Sequence, residues 1–211
     1  QVKDILESMK RIRKKVKKHN LRLSAHPDQF TVLNSKKNHV VKNSIKFLHH
    51  HNEFLEKIGG KDIIIHIGGV YGDKPEAKKR FIKNFQKLNK NTQKRIRIEN
   101  DDTSYNLKDV CEISKETNIP IIFDFHHNRC LPSKKSDLNQ LIKYVKKSWK
   151  EKIPKCHISS GKASSLDKKH ADYIDIDDLM ALEKIMGNTK YDLMLEARKK
   201  EKALFKLREN L

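Results

Sequence analysis

The sequence predicts an α/β chain built as a (β/α) barrel, and three observations carry that prediction. Short apolar runs rich in β-branched residues alternate with longer amphipathic ones along the chain. No glycine-rich nucleotide loop follows any of the short runs, which argues against a dinucleotide-binding sheet. Polar residues cluster directly after each short run, where a barrel of parallel strands carries its chemistry.

Taken in order, residues 2–18 read as a helix whose lysines, Lys14, Lys15, Lys17 and Lys18, form a solvated face. The first strand is LRLSA, 21–25. A helix follows over 36–58, with Ile45, Leu48, Asn52 and Leu55 at helical spacing. The second strand is DIIIHI, 62–67, and its helix covers 76–90 on Phe81, Phe85 and Leu88. Strands at 95–99, 120–125, 154–158 and 191–196 then alternate with helices at 107–118, 136–150, 177–187 and 198–210. Strands this short and apolar fit a sheet buried on both faces. Six strands are legible where a closed barrel has eight, so the reading expects two N-terminal βα units to be lacking from this chain. Residues 1–211 are read as one catalytic domain.

The 211 residues carry 47 basic and 27 acidic side chains, a formal charge of +20 that suits a polyanionic partner. Charge of this kind argues only for non-specific attraction, and the bias toward Lys over Arg weakens even that. Cys111, Cys130 and Cys156 form no C-x-x-C pair, which excludes a disulfide framework and a thiolate zinc module. A reducing, intracellular setting is expected, without secretion. No stretch approaches the ~20 apolar residues of a membrane span.

Every strand ends in a group able to hold a metal. His26 follows the first strand and His66 lies in the second. Glu99 ends the third. Asp124 lies in the fourth, with His127 just after it. His157 lies in the fifth, with His170 on the loop beyond, and Glu196 ends the sixth. A lone strand His is ordinarily a packed or rim residue, but eight such groups on six strand ends defeat separate explanations. Parallel strands bring these ends to one rim. Nitrogen and oxygen donors in this mix suit Zn or Mn. Eight groups exceed one ion, so two or three are expected, with Glu99 and other carboxylates bridging. Paired ions are a recurrent device for phosphodiester hydrolysis. His39, His49, His50 and His51 lie in a helical pattern and are read as surface or packing residues. His126 is read as support for a ligand. Asp101 and Asp102 are candidates to cap the next helix.

The segments RLSAHPDQFTVLNS (22–35), HIGGVYGDK (66–74), IENDD (98–102), FDFHH (123–127), KCHISS (155–160) and HADYID (170–175) resemble the UV-damage endonuclease family, in the family's order and over most of the chain from residue 21. The resemblance implies the barrel shared with endonuclease IV-type enzymes and xylose isomerases. It implies a metal-dependent endodeoxyribonuclease that cuts the phosphodiester 5′ to pyrimidine dimers and 6-4 photoproducts in double-stranded DNA. Mn2+ is the first expectation, with Zn2+ or Mg2+ as alternatives, and the protein is expected to act as a monomer. The resemblance places Glu99 as a bridge, His26 and His66 on one ion, Asp124, His157 and Glu196 on a second, and His127 and His170 on a third. It makes Glu99, Lys155 and His170 the catalytic set, with Lys155 the position of a lysine that can be modified. Gln29 and Phe30 resemble a pair that probes the duplex, and Tyr71, Lys74 and Arg129 are the further candidate DNA contacts. Two departures stand out: Asp28 where many members have glycine, and Lys168 where the related abasic-site enzymes have an aspartate. The competing readings are an abasic-site endonuclease, a metal-dependent sugar isomerase on the same barrel, and a non-catalytic nucleic-acid-binding remnant.

Overall fold

All six expected strands form, each shorter than its apolar run. In a computed structural model that describes residues 2–211, the chain runs α1 (Val2–Lys18), β1 (Ser24–Ala25), α2 (Asn38–Ile58), β2 (Asp62–Ile65), α3 (Lys74–Phe85), α4 (Lys90–Arg95) and β3 (Ile96–Glu99). It continues through α5 (Leu107–Thr117), β4 (Ile121–Asp124), α6 (Phe125–Cys130), α7 (Leu138–Ser148), β5 (Lys155–Ile158), α8 (Ile176–Met186), β6 (Asp192–Leu195) and α9 (Glu201–Glu209).

Two helices were not legible in the sequence. The helix expected over 76–90 ends at Phe85, and a second one, α4, starts at Lys90, where Asn89 accepts a hydrogen bond from the Thr92 amide and caps it. Asp124 likewise accepts from the His127 amide and caps α6, so His127 sits on a short helix directly after β4. Asp101 and Asp102 do not cap α5. That role falls to Asn106, in a reciprocal capping box with Asp109. The Asp101 carboxylate instead takes the amides of Thr103, Ser104 and Tyr105 and closes the loop after β3.

The described residues divide into two compact units between Arg97 and Ile98. In the first, β1 and β2 pair in parallel, with Ser24 opposite Asp62. Leu48, Leu55, Ile63 and Phe81 form its fully buried core. Asp62, at the start of β2, holds two arginines: Oδ2 lies 2.9 Å from Arg22 Nε and Oδ1 lies 2.9 Å from Arg97 Nη2. In the second, β3, β4, β5 and β6 pair in parallel in chain order, with Glu99 opposite Ile122, Asp124 opposite His157 and His157 opposite Met194. Its core holds Ile98, Ile121, Phe123 and Trp149, whose indole N–H donates to the Ile121 carbonyl at 2.7 Å. Among the described residues no helix is long and apolar enough to cross a membrane.

Candidate metal centre

The strand register of the second unit sets its polar centre. Because Asp124 and His157 are register partners and Glu99 closes β3 beside β4, these side chains meet at the C-terminal ends of adjacent parallel strands. One ligand atom from each of Glu99, Asp124 and His157 lies within 4.8 Å of the others, and all three residues are fully buried. His157 Nδ1 lies 2.8 Å from Glu99 Oε2 and 3.0 Å from Glu196 Oε1.

Burial alone would lower the His157 pKa, yet the Glu99 and Glu196 carboxylates outweigh it and push it up to about 10. Burial raises the Asp124 pKa, and the neighbouring Glu196 and Glu99 add to that shift. Three carboxylates thus crowd one imidazole, two of them, Glu99 and Asp124, fully buried and Glu196 partly exposed. That is an excess of buried negative charge, of the kind a divalent cation offsets, and the oxygen and nitrogen donors fit Zn2+ or Mn2+. Thiolate ligands are disfavoured, since burial pushes both Cys111 and Cys156 up to about 12.

Asn100, which sequence reasoning did not single out, organises two of the expected ligands. Its side chain donates to the Asp124 carbonyl at 2.9 Å and accepts from the Asp124 amide at 3.0 Å, completing the β4 end as a strand neighbour would. Its own carbonyl lies 3.0 Å from His127 Nδ1. A carbonyl only accepts, so Nδ1 carries the proton and Nε2 keeps its lone pair for a ligand. Asp124 Oδ1 is engaged by the His127 amide at 2.7 Å, whereas Oδ2 accepts no hydrogen bond and lies 3.7 Å from His127 Nδ1. Asn100 lies within IENDD, but only the register of β3 against β4 shows its role.

The loop after β5 carries His170, whose ring centroid lies 6.2 Å from that of His127 and 6.0 Å from that of His126. Gly161 pairs with His170 in an isolated bridge, and a Cβ at Gly161 would fall 1.9 Å from the Ser164 carbonyl oxygen, so the turn admits only glycine. His126 is buried, with Nε2 2.9 Å from the Asp167 carbonyl, so it meets the backbone of this loop. Lys155 is buried on β5, two residues before His157 and on the same face. Lys168 turns elsewhere, donating to Thr103 Oγ1 at 2.7 Å and lying 4.0 Å from Asp102. Arg129, expected at a phosphate, is held in an ion pair with Asp178 and lies over the Phe125 ring.

In the first unit, His26 and His66 have ring centroids 5.2 Å apart. His26 Nδ1 lies 3.1 Å from the Pro27 carbonyl, which again leaves Nε2 for a ligand. Gln29 is exposed, and Phe30 is 77% exposed on the loop after β1. Asp28 accepts from the Phe30 amide at 2.7 Å, so the residue that departs from the family's glycine fixes this turn through its side chain. Tyr71 is 38% exposed on the loop after β2, and Lys74 opens α3. Of the histidines set aside from the sequence, His51 bonds the Phe47 carbonyl within its own helix and His49 accepts from the Asn89 amide.

Parallel βα units with buried histidine and carboxylate at the strand ends define a (β/α)-barrel-type fold whose polar centre could hold a metal. Endonuclease IV from Thermus thermophilus shares this fold, with a TM-score of 0.69 at 14% identity, covering 97% of this chain and 79% of that one. The chain belongs to the UV-endonuclease UvdE family, whose model matches residues 2–211. A UV DNA damage endonuclease of Bacillus cereus (strain G9842) is 36% identical over 206 residues, which cover 93% of this chain and 64% of the relative. The crystal structure of SacUVDE superposes with a TM-score of 0.89 at 34% identity, covering 99% of this chain and 71% of that one. The fold is therefore a partial (β/α) barrel of six parallel strands. The chain spans about 64% of the length of that curated relative.

Proposed function

We propose that this chain is the catalytic part of a divalent-metal-dependent DNA-repair endonuclease that cuts the phosphodiester 5′ to UV photoproducts in double-stranded DNA. The observation that carries the reading is the buried Glu99–Asp124–His157 centre at the strand ends of a UV-endonuclease family member. Two or three ions are proposed, with Mn2+ the first candidate; within the second unit the ligands would come from Glu99, Asp124, His127, His157, His170 and Glu196, and within the first from His26 and His66. The ions would supply charge stabilisation at the scissile phosphate and an activated water. Glu99, which shares a cluster with Asp124 and His157, would bridge. Lys155, buried beside His157, and His170, on the Gly161 turn, complete the catalytic set. Gln29 and Phe30 would enter the duplex at the lesion, Phe30 replacing lost stacking and Gln29 meeting exposed base edges. Tyr71 and Lys74 would follow the backbone, and the +20 charge favours this polyanionic partner.

The test is nicking of a duplex carrying one defined pyrimidine dimer, with Mn2+ supplied, beside an undamaged duplex and an abasic one. Cleavage just 5′ to the dimer, abolished by chelator, is expected. Cleavage of the abasic duplex alone would move the protein to the neighbouring repair class.

Two further expectations follow from single residues. Phe30→Ala should leave the unfolding free energy, read by urea titration, within about 0.5 kcal/mol of the wild type, because the ring is exposed. It should reduce the preference for damaged over undamaged duplex by roughly tenfold, the scale of one lost stacking contact. Asn100→Ala should weaken metal binding by roughly 10–100-fold, the range for residues that orient ligands. Calorimetric titration of Mn2+ into the metal-free variant reads this directly, and an unchanged affinity would remove Asn100 from the centre.

A further inference from the structure

The two loops that carry Phe30 and Tyr71 are joined by a set of contacts centred on one side chain. Arg80, two turns into α3, donates from Nε to the Asn34 carbonyl at 2.9 Å, and its guanidinium carbon lies 5.7 Å from the Tyr71 ring centroid. Asn34 Nδ2 in turn donates to the Gly69 carbonyl at 2.8 Å. The loop after β1 is thus bonded to the loop after β2 by Asn34, and Arg80 of α3 bonds the first of these loops and lies over the Tyr71 ring of the second.

The fit is close. Gly68 has φ +107°, and a Cβ there would lie 2.4 Å from Asn34 Oδ1; a Cβ at Gly69 would meet the Tyr71 ring at 3.1 Å. Tyr71 itself has φ +56°, a left-handed conformation that costs a non-glycine residue of order 1–3 kcal/mol and persists only where surrounding contacts enforce it. Arg80 is the charged group beside that ring. Its Nη2 is buried and has no hydrogen-bond partner. An unmatched buried donor of this kind is costly, so packing alone is a poor account of an arginine here. A lysine cannot replace it, since only the planar guanidinium both bonds the carbonyl and lies against the ring.

We propose that Arg80 is a positioning residue for lesion recognition: it holds Tyr71 in its left-handed conformation and fixes the loop after β2 against the loop that bears Gln29 and Phe30. Being buried at Nη2, it acts through these loops rather than as a phosphate contact of its own. This rests on the DNA-repair reading above, and it adds to that reading a residue beneath the recognition surface that sets lesion preference.

The experiment compares the wild type with Arg80→Lys, which keeps the charge, and Arg80→Met, which keeps the stem. Amide hydrogen exchange is measured without DNA, and binding is measured to a dimer-containing and an undamaged duplex at one salt concentration. Exchange in residues 68–73 and 30–35 should rise at least tenfold in both variants, with the rest of the chain unchanged. Affinity for the dimer duplex should fall about tenfold in both, while affinity for the undamaged duplex stays within twofold. Unchanged exchange would overturn the proposal. So would an equal loss on both duplexes confined to Arg80→Met, which would make Arg80 an ordinary phosphate charge. If the wild type does not prefer the dimer duplex, the repair reading fails, and the exchange arm still decides whether Arg80 holds the loops. Rapid exchange throughout either variant would mark a general loss of fold and would also overturn the proposal.

Discussion

Glu99→Gln should abolish dimer-directed nicking, by roughly 10^3-fold or more, above the 10–100-fold that residues behind metal ligands typically cost. The two side chains have nearly the same shape, so what changes is the charge and the exchange of one acceptor oxygen for a donor NH2. Glu99 is fully buried, and its Oε2 lies 2.8 Å from His157 Nδ1. An amide there cannot offset a divalent cation, and its NH2 would face the other ligands. Metal content after dialysis should fall with activity, as read by elemental analysis. The wild type alone should gain thermal stability when Mn2+ is added, since only a ligand bound to the native state raises the midpoint. A separate signature lies in His157. Burial lowers its pKa, and the two glutamates raise it to about 10 in the metal-free protein. Removing Glu99 withdraws the largest raising influence, so NMR titration of the metal-free variant should show the imidazole losing its proton at lower pH. Retained metal together with retained nicking would sink the assignment.

The sequence exposed the order of elements because hydrophobic patterning is local. Six apolar runs gave six strands, and the ligand candidates were legible because each run was followed by His, Asp or Glu. Strand ends were less exact. LRLSA shrank to Ser24–Ala25, because a short run does not say which of its amides find partners. The missed helices α4 and α6 are short, so they show no full apolar period, and each starts at a capping side chain that also reads as a loop or ligand residue. Asp124 illustrates the conflict: the same carboxylate caps α6 with one oxygen and turns the other to the centre. Asn100 and Arg80 were illegible for a different reason. Their partners, Asp124 and Asn34, lie far away in sequence, and neither residue type announces its role. Arg129 was legible as a charge but not as a bonded one, since Asp178 lies on another helix.

Asp62→Ala should destabilise the protein by about 3–5 kcal/mol, the cost of leaving a buried charge without its partner. Native domains hold only about 5–15 kcal/mol in total, so a loss of this size threatens folding at 37 °C. The asymmetry between the two arginines sets the magnitude. Arg22 is 23% exposed at its side chain and can turn to water, whereas Arg97 is 4% exposed and has nowhere to go. Burial depresses the Arg97 pKa, and Asp62 is the charge that opposes the depression. The bonds Arg97 donates to the Lys94 and Ile96 carbonyls supply dipoles but no countercharge. Urea unfolding of the metal-free variant measures the loss, and a change below about 1 kcal/mol would show that the ion pair does not support the fold. A double variant, Asp62→Leu with Arg97→Met, should recover most of it, because an apolar pair of similar volume removes the orphaned charge. The comparison also separates stability from chemistry. Asp62 opens β2, while His66 lies just beyond its far end, roughly 13 Å away at about 3.3 Å per residue. The double variant, once folded, should therefore bind Mn2+ as the wild type does, which Glu99→Gln should not.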